Sequence, residues 1–385
     1  MARLARGRIR YERYDECMLV LLLAVLCALA GEEDMFLVMA MFGLAKLEAY
    51  EELIAPTILE GVCPMYNFFD AIGGLDFKEL FRFEKPHFRE LLHELQLPEE
   101  IEIHRGGFGV SRVPIDLALA VTIWRLACPT TLIRDRLFWG IAEQMICDIF
   151  NLTIEAIFDR WGHLVNQLQH DAILSKIDMF CQAIHEKGTP LTRCWGSIDG
   201  TIRAISRPKR SQRLWYNGRK RKHALKYQAI DTPDGIIRML WGSILGRRHD
   251  VAMVGESGLL QDLQQWFNDA AGTPYYVFGD PAYSLSPWLL APYKGVLNAF
   301  EQTFNTAMSS VRVSVEWGFG KIVALWPYVD YAKKQQVALS ACGLGKQYAV
   351  AGILTNCHSS FYRNNTSFYF GVKPPSLRSY LNGEG

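Results

Sequence analysis

Hydrophobic positions in the first half of the chain recur mostly at three- and four-residue intervals. Residues 18 to about 52 follow this pattern, with apolar runs "MLVLLLAVLCALA" (18–30) and "MFLVMAMFGLA" (35–45) separated by the charged break "GEED", and Pro56 ends it. A helix is predicted over "EKPHFRELLHELQL" and a loop at "HRGGFG" within an otherwise mixed stretch, 61–110. "SRVPIDLALAVTIWRLACP" carries Pro114 near its first turn and Pro129 just past its end, which predicts a bounded helix buried on most sides. "TTLIRDRLFWGIAEQMICDIF" predicts two helical segments broken at Trp139-Gly140, the outline of a helix-turn-helix or of a plain helical hairpin. Helices continue through "IEAIFDRWGHLVNQLQ" to a glycine stop at Lys187-Gly188.

At Leu191 the period changes. "CWGSIDGTIRAIS", "KYQAIDTPDG", "IIRMLWGSILG" and "TPYYVFGDPAY" are short, β-prone and punctuated, with the turn Thr232-Pro-Asp-Gly235 signalling a hairpin. A helix over "GLLQDLQQWFNDA" separates the third strand from the fourth, and helices resume after about 306. The expected class is α/β: a mixed sheet flanked by helices, preceded by an all-helical domain. The boundaries read are 1–60 (N-terminal helical segment), 61–190 (helical, helix-turn-helix-like around 120–160), 191–358 (α/β domain) and 359–385 (C-terminal tail).

Composition narrows the function classes. The 385 residues are half hydrophobic, enough for sizeable cores. Nine cysteines without a CxxC pair argue against a zinc ribbon or a disulfide framework. The basic start followed by an apolar run is similar to the opening of a signal peptide, but Asp15 and Glu16 stand at its border. Neither apolar run is long enough to span a bilayer, so two packed helices and no membrane are expected. A net charge of +1 leaves any attraction to nucleic acid to local clustering.

Three carboxylates stand out. Asp199 sits mid-strand on the face shared by Ser197, Thr201 and Arg203, where aspartate is depleted; the simpler reading is a wet sheet face. Asp280 closes the fourth strand, where Asp-Pro also starts turns. Glu316 lies beside the stripe Met308, Val311, Val315, Phe319 and Ile322 of an amphipathic helix, with Arg312 one turn earlier as an i,i+4 partner. Acid in the first strand, acid after the fourth and acid on the next helix is the layout of a ribonuclease-H-like nuclease. Converging acids need cations to neutralise them, and Mg2+ or Mn2+ prefer such hard oxygen donors.

The blocks "WGSIDGTIRAI", "YNGRKRKHALKYQAI", "LGRRHDVAM", "VFGDPAYSLSP" and "SSVRVSVEWGFGKI" resemble, in order, those of the PIF/Harbinger transposase superfamily and Harbinger-derived nucleases. The resemblance is strong over roughly 190–358 and looser over "WRLACPTTLIRDRLFWGIAEQMICDIFN". It implies a ribonuclease-H-like DDE nuclease domain with catalytic and metal-binding Asp199, Asp280 and Glu316. Asp250 of "RRHD" is implied as a supporting ligand, on resemblance alone. It further implies two divalent ions, Asp199 bridging both, Asp280 holding one and Glu316 the other. DNA, a separate Myb/SANT-like DNA-binding protein and a second copy of the chain are the implied partners, and the nucleus the implied compartment. The chain departs from the family at Ala282-Tyr283, where Gly-Tyr is usual, and in "GIAEQMICDIF", which has no Lys or Arg. A catalytically silent factor that kept the fold for binding DNA or protein is the alternative.

Between Gly200 and Asp231 there are ten Lys/Arg and no acid. Nine of them, Arg207, Lys209, Arg210, Arg213, Arg219, Lys220, Arg221, Lys222 and Lys226, are the expected DNA contacts, with Trp215 and Tyr216 placed to stack on unpaired bases. A solvated basic loop or a nuclear-localisation patch at "RKRK" is the simpler reading.

Overall fold

The computed structural model describes residues 64–104, 110–248, 250–337 and 342–384, with the side chains of 64–67, 250 and 251 also left aside. The expected helices of 18–52 lie outside these residues, as does the "HRGGFG" loop from 105 on. The chain divides into two compact units, Met1–Asp76 and Phe77–Gly385. In the first, the described residues hold helix α1 (Pro64–Ala71) and the start of α2 (Gly74–Phe81).

In the second unit α3 (Lys85–Leu95) begins with Pro86 in its first turn and buries Phe88, Leu91 and Leu95 on one stripe. A hairpin follows, β1 (Glu100–His104) against β2 (Val110–Pro114), whose alternating burial puts Ile101 and Ile103 inside. Helix α4 (Ile115–Ala127) is buried along nearly its whole length, as its continuous apolar run requires. The predicted break at Trp139-Gly140 is present: α5 (Leu132–Trp139) ends on Gly140 at φ +66°. The next helix, α6 (Glu143–Trp161), runs unbroken for 19 residues and packs on α4. Short helices α7 (His163–Asn166) and α8 (His170–Leu174) lead to α9 (Ile177–His185).

The sheet is mixed and flanked by helices. Strand β3 (Cys194–Ala204) leads to the short α10 (Gln212–Trp215) and β4 (Tyr216–Asn217), then to β5 (Lys222–Asp231) and β6 (Ile237–Leu245). Helices α11 (Asp250–Glu256) and α12 (Leu259–Trp266) precede β7 (Tyr276–Phe278) and β8 (Leu289–Leu290). The spatial order is β6-β5-β3-β7-β8, with β4 added at the start of β5. Strands β3, β5 and β6 are antiparallel neighbours; β7 runs parallel to β3, and β8 to β7.

The β5–β6 turn is the one read from Thr232-Pro-Asp-Gly235. Gly235 adopts φ +76°, and the buried Asp234 carboxylate accepts from the Thr232 hydroxyl (2.6 Å) and pairs with Arg238 (2.5 Å). Helix α13 (Ala299–Leu325) crosses β3, and α14 (Leu344–Phe361) packs on β6 and α6. Two short helices, α15 (Asn365–Phe370) and α16 (Leu377–Leu381), follow within the stretch read as a tail, and Phe370, Leu377 and Tyr380 are buried. The core between sheet and helices gathers Phe180, Trp195, Ile198, Ile230, Leu263, Phe267, Phe278, Met308 and Val311.

Two expectations are corrected. Helix α13 starts at Ala299, not after 306, because Asn298 and Glu301 form a reciprocal capping box that fixes its first turn. Residues 100–114 contain a β-hairpin within a stretch left as mixed.

Candidate active site

Position along β3 sets the setting of Asp199. Ser197 and Ile198 are both buried, so both faces of the strand are covered there, and beyond them the strand begins to emerge. The side chain of Asp199 is 17% exposed, so the wet-face reading does not hold. One carboxylate oxygen accepts from the Gly200 backbone N–H (2.8 Å) and the other from Arg312 Nη1 (3.1 Å).

Asp280 follows the exit of β7. Ser197 pairs with Phe278 in the parallel ladder, so Asp280 leaves β7 two residues past the pair and its charge acts on Asp199. The close approach depends on Gly279: a Cβ there would stand 2.5 Å from the Tyr283 ring and 3.0 Å from Ile198 Cγ2. Asp280 Oδ1 accepts from the Ala282 N–H (2.9 Å), so this turn closes with alanine in place of glycine.

Glu316 reaches the same place from α13. Met308, Val311, Val315, Phe319 and Ile322 are buried as their spacing predicts, leaving Glu316 half exposed beside the stripe. The i,i+4 partner is real, at 3.6 Å from Arg312 Nη2 to Glu316 Oε1. That guanidinium also holds Asp199, so it bridges a strand acid and a helix acid.

Asp199, Asp280, Glu316 and Arg312 line one cavity of about 970 Å³. Burial pushes Asp199 up to about 6; the Gly200 N–H and Arg312 oppose the rise, and the charges of Asp280 and Glu316 add to it. Buried Asp231 of β5 is likewise held well above the ordinary carboxylate range by desolvation. Among the described residues no three His, Cys, Asp or Glu side chains are arranged to hold a metal ion together. In kind the donors, three carboxylates on one cavity, suit a hard dication. Asp250 opens α11, and its side chain lies outside the described atoms.

The basic island is folded. It spans the end of β3, α10 and the β4–β5 hairpin, whose turn is held by Asn217 Oδ1 accepting from the Lys220 N–H (2.9 Å). Arg219, Lys220, Lys222 and Lys226 line the acidic cavity. Lys226 is buried and its Nζ donates to the Arg248 carbonyl (2.8 Å), so it braces the wall. Arg213 borders a separate, open depression with Tyr216 and His223. Arg207 bonds Gln212, while Lys209, Arg210 and Arg221 are exposed and line neither space. Arg247 and Arg248, at the exit of β6, line the cavity with the island. Their signal is the "RRHD" block, in which the resemblance points to the aspartate alone.

A second cavity of about 440 Å³ shares Glu316 and is bordered by Trp317, Lys321, Arg363 and Asn364. Burial lowers the Lys321 ammonium to about 7, and its Nζ donates to Ser359 Oγ (2.8 Å).

Residues 198–356, from the middle of β3 into α14, match the family described as DDE superfamily endonuclease. The matched segment includes Asp199, Asp280 and Glu316. "Protein ALP1-like" of Arabidopsis thaliana is 24% identical over 224 residues, covering 55% of this chain and 53% of that protein. The chain thus spans about half the length of this curated relative. No solved structure matches. The resemblance to transposase-like DDE nucleases read from the sequence is borne out over this segment.

Proposed function

We propose that the protein is a metal-dependent DNA endonuclease or transposase of PIF/Harbinger type, cutting DNA phosphodiesters with Asp199, Asp280 and Glu316. One observation carries the reading: three acids from β3, the β7 exit and α13 line a single cavity whose other wall is cationic. The strand order, three antiparallel neighbours followed by two parallel ones, supports a ribonuclease-H-like domain over 191–358, with the helical stretch 61–190 before it. Relatives of this type generally use divalent metal ions.

Arg219, Lys220, Lys222, Arg247 and Arg248 would hold a phosphate backbone along the cavity by charge, and their planar or flexible donors would set its depth. Asp199 on β3 and Asp280 just past the exit of the adjoining β7 bring two carboxylates together before substrate arrives, and α13 brings the third. A divalent cation held by these three, with Asp250 in support, would polarise the phosphoryl oxygen and activate the attacking water or hydroxyl. No protein nucleophile is required.

The scarcity of cations on helix α6 supports leaving base recognition to a separate Myb/SANT-like protein. Its acids Glu155 and Asp159 pair with Lys346 of α14 at 3.5 and 3.7 Å, and only Arg160, near its C-terminal end, supplies a cation. Action on chromosomal DNA would call for a nuclear protein, and paired end cleavage for a second copy of the chain.

Nicking of supercoiled plasmid in Mn2+ tests the reading. The parent is expected to nick, with Asp199→Asn, Asp280→Asn and Glu316→Gln each reduced to the background seen with chelator. Equal nicking by parent and variants would overturn the site assignment. Binding of plasmid without nicking by any of them would instead favour the silent DNA-binding factor.

A further inference from the structure

We propose that Arg312 is a resident counter-ion of the acidic cluster, displaced when DNA enters, so that metal loading is coupled to DNA binding. The proposal rests on the nuclease reading above and concerns its control.

Arg312 stands one helical turn before Glu316 and reaches two acids at once, Asp199 Oδ2 at 3.1 Å and Glu316 Oε1 at 3.6 Å. Its side chain is only 20% exposed. The remaining oxygen of Asp199 is engaged by the Gly200 N–H, and one oxygen of Asp280 by the Ala282 N–H. In this state the cluster is partly neutralised from within, and the described acids do not surround a common centre.

A dication sought by the same carboxylates would sit close to the guanidinium, and in a partly buried site that repulsion is weakly screened. The two cations therefore compete. DNA changes the balance, because a phosphodiester offers a guanidinium a bidentate, charge-assisted partner. Arg219, Lys220 and Lys222 line the same cavity, so a backbone drawn in by them arrives beside Arg312. Once Arg312 turns to phosphate, Asp199 and Glu316 are released together. By linkage, whatever DNA does for metal affinity metal does equally for DNA affinity. The device would keep the free protein from holding a cutting metal away from its substrate.

The test is titration of Mn2+ alone into the DNA-free protein, with free Mn2+ followed by its paramagnetic resonance signal and folding checked by thermal melts. Arg312→Gln is expected to bind Mn2+ more tightly than the parent by about tenfold or more, the usual size of a coupling between sites. Arg312→Lys, which keeps the charge, should stay near the parent, and adding Asp199→Asn to Arg312→Gln should remove the gain. A short duplex should tighten Mn2+ binding by the parent more than by Arg312→Gln. Equal or weaker binding by folded Arg312→Gln would overturn the proposal while leaving the nuclease reading intact. Failure of every form to bind Mn2+, with or without duplex, would overturn both. Should Arg312→Gln not fold, the parent still decides: Mn2+ affinity unchanged by duplex overturns the coupling.

Discussion

Asp199 is costly to the fold and valuable to the site. Its carboxyl is held up to about 6, above the ordinary 3.8, chiefly because the strand buries it. The folded protein therefore binds this proton more tightly than the unfolded chain does. The stability contributed by the group is fully present below pH 3.8 and is lost as the pH rises through about 6. Above that range the ionised carboxylate is a net burden, only partly offset by Arg312 and the Gly200 N–H. Asp199→Asn should accordingly stabilise the protein at pH 8, by roughly 1–3 kcal/mol, and give little gain at pH 4. Thermal melts of parent and variant across this range read the difference directly, and a gain that is larger at pH 4 than at pH 8 would contradict it. The oddity of a mid-strand aspartate was legible in the sequence. Its burial was not, because alternation names the residues that share a face without saying what covers that face.

The elements carry the convergence. Strand β3 supplies one acid, the β7 exit a second and α13 the third, each placed by a local feature of its own sequence. The apolar stripe of α13 was readable from its spacing, and every residue named in it is buried. Its start was missed, although Asn298 and Glu301 spell a capping box, because the β8 region before it had no clear period. The β1–β2 hairpin is likewise written in the alternation of "EIEIH" before the loop read at "HRGGFG", but each of its strands is only five residues long, too short to stand out from its mixed surroundings.

Close packing of β3 on β5 depends on Gly196, where a Cβ would stand 2.6 Å from the Asp231 carbonyl oxygen. Backbone cannot yield as a side chain can, so Gly196→Ala should destabilise by about 1–3 kcal/mol. Gly320→Ala, in the interior of α13 with nothing within 4 Å of the new methyl, should instead stabilise by about 0.5–1 kcal/mol. Denaturant melts of the pair check both signs. Equal effects would mean that the β3–β5 contact is not the constraint described.

At the scale of the molecule, a chain of net charge +1 gathers its cations where its acids meet. Arg219, Lys220 and Lys222 come from one hairpin, 247 and 248 from the far end of β6, and the acids from three further places, so one cavity joins five separate stretches of sequence. Five ordered blocks made that assembly legible as a resemblance, whereas spacing alone left each acid with an ordinary explanation. The basic island illustrates the limit. Its charge was plain in the sequence, but only the fold separates the exposed Arg219, Lys220 and Lys222 on the cavity wall from Lys226, which is buried in that wall and tied to the Arg248 carbonyl, and from Lys209, Arg210 and Arg221 outside. Attraction of such a wall to a phosphate backbone would be local and would fall with salt through counter-ion release.

The most direct test is a crystal structure of the protein with a short duplex and Mn2+, with the metal located by its anomalous scattering. The expected result is an anomalous peak in contact with the carboxylates of Asp199, Asp280 and Glu316, with the Arg312 guanidinium moved onto a phosphate. A cavity with duplex bound, no peak at those carboxylates and Arg312 still on Asp199 would contradict it.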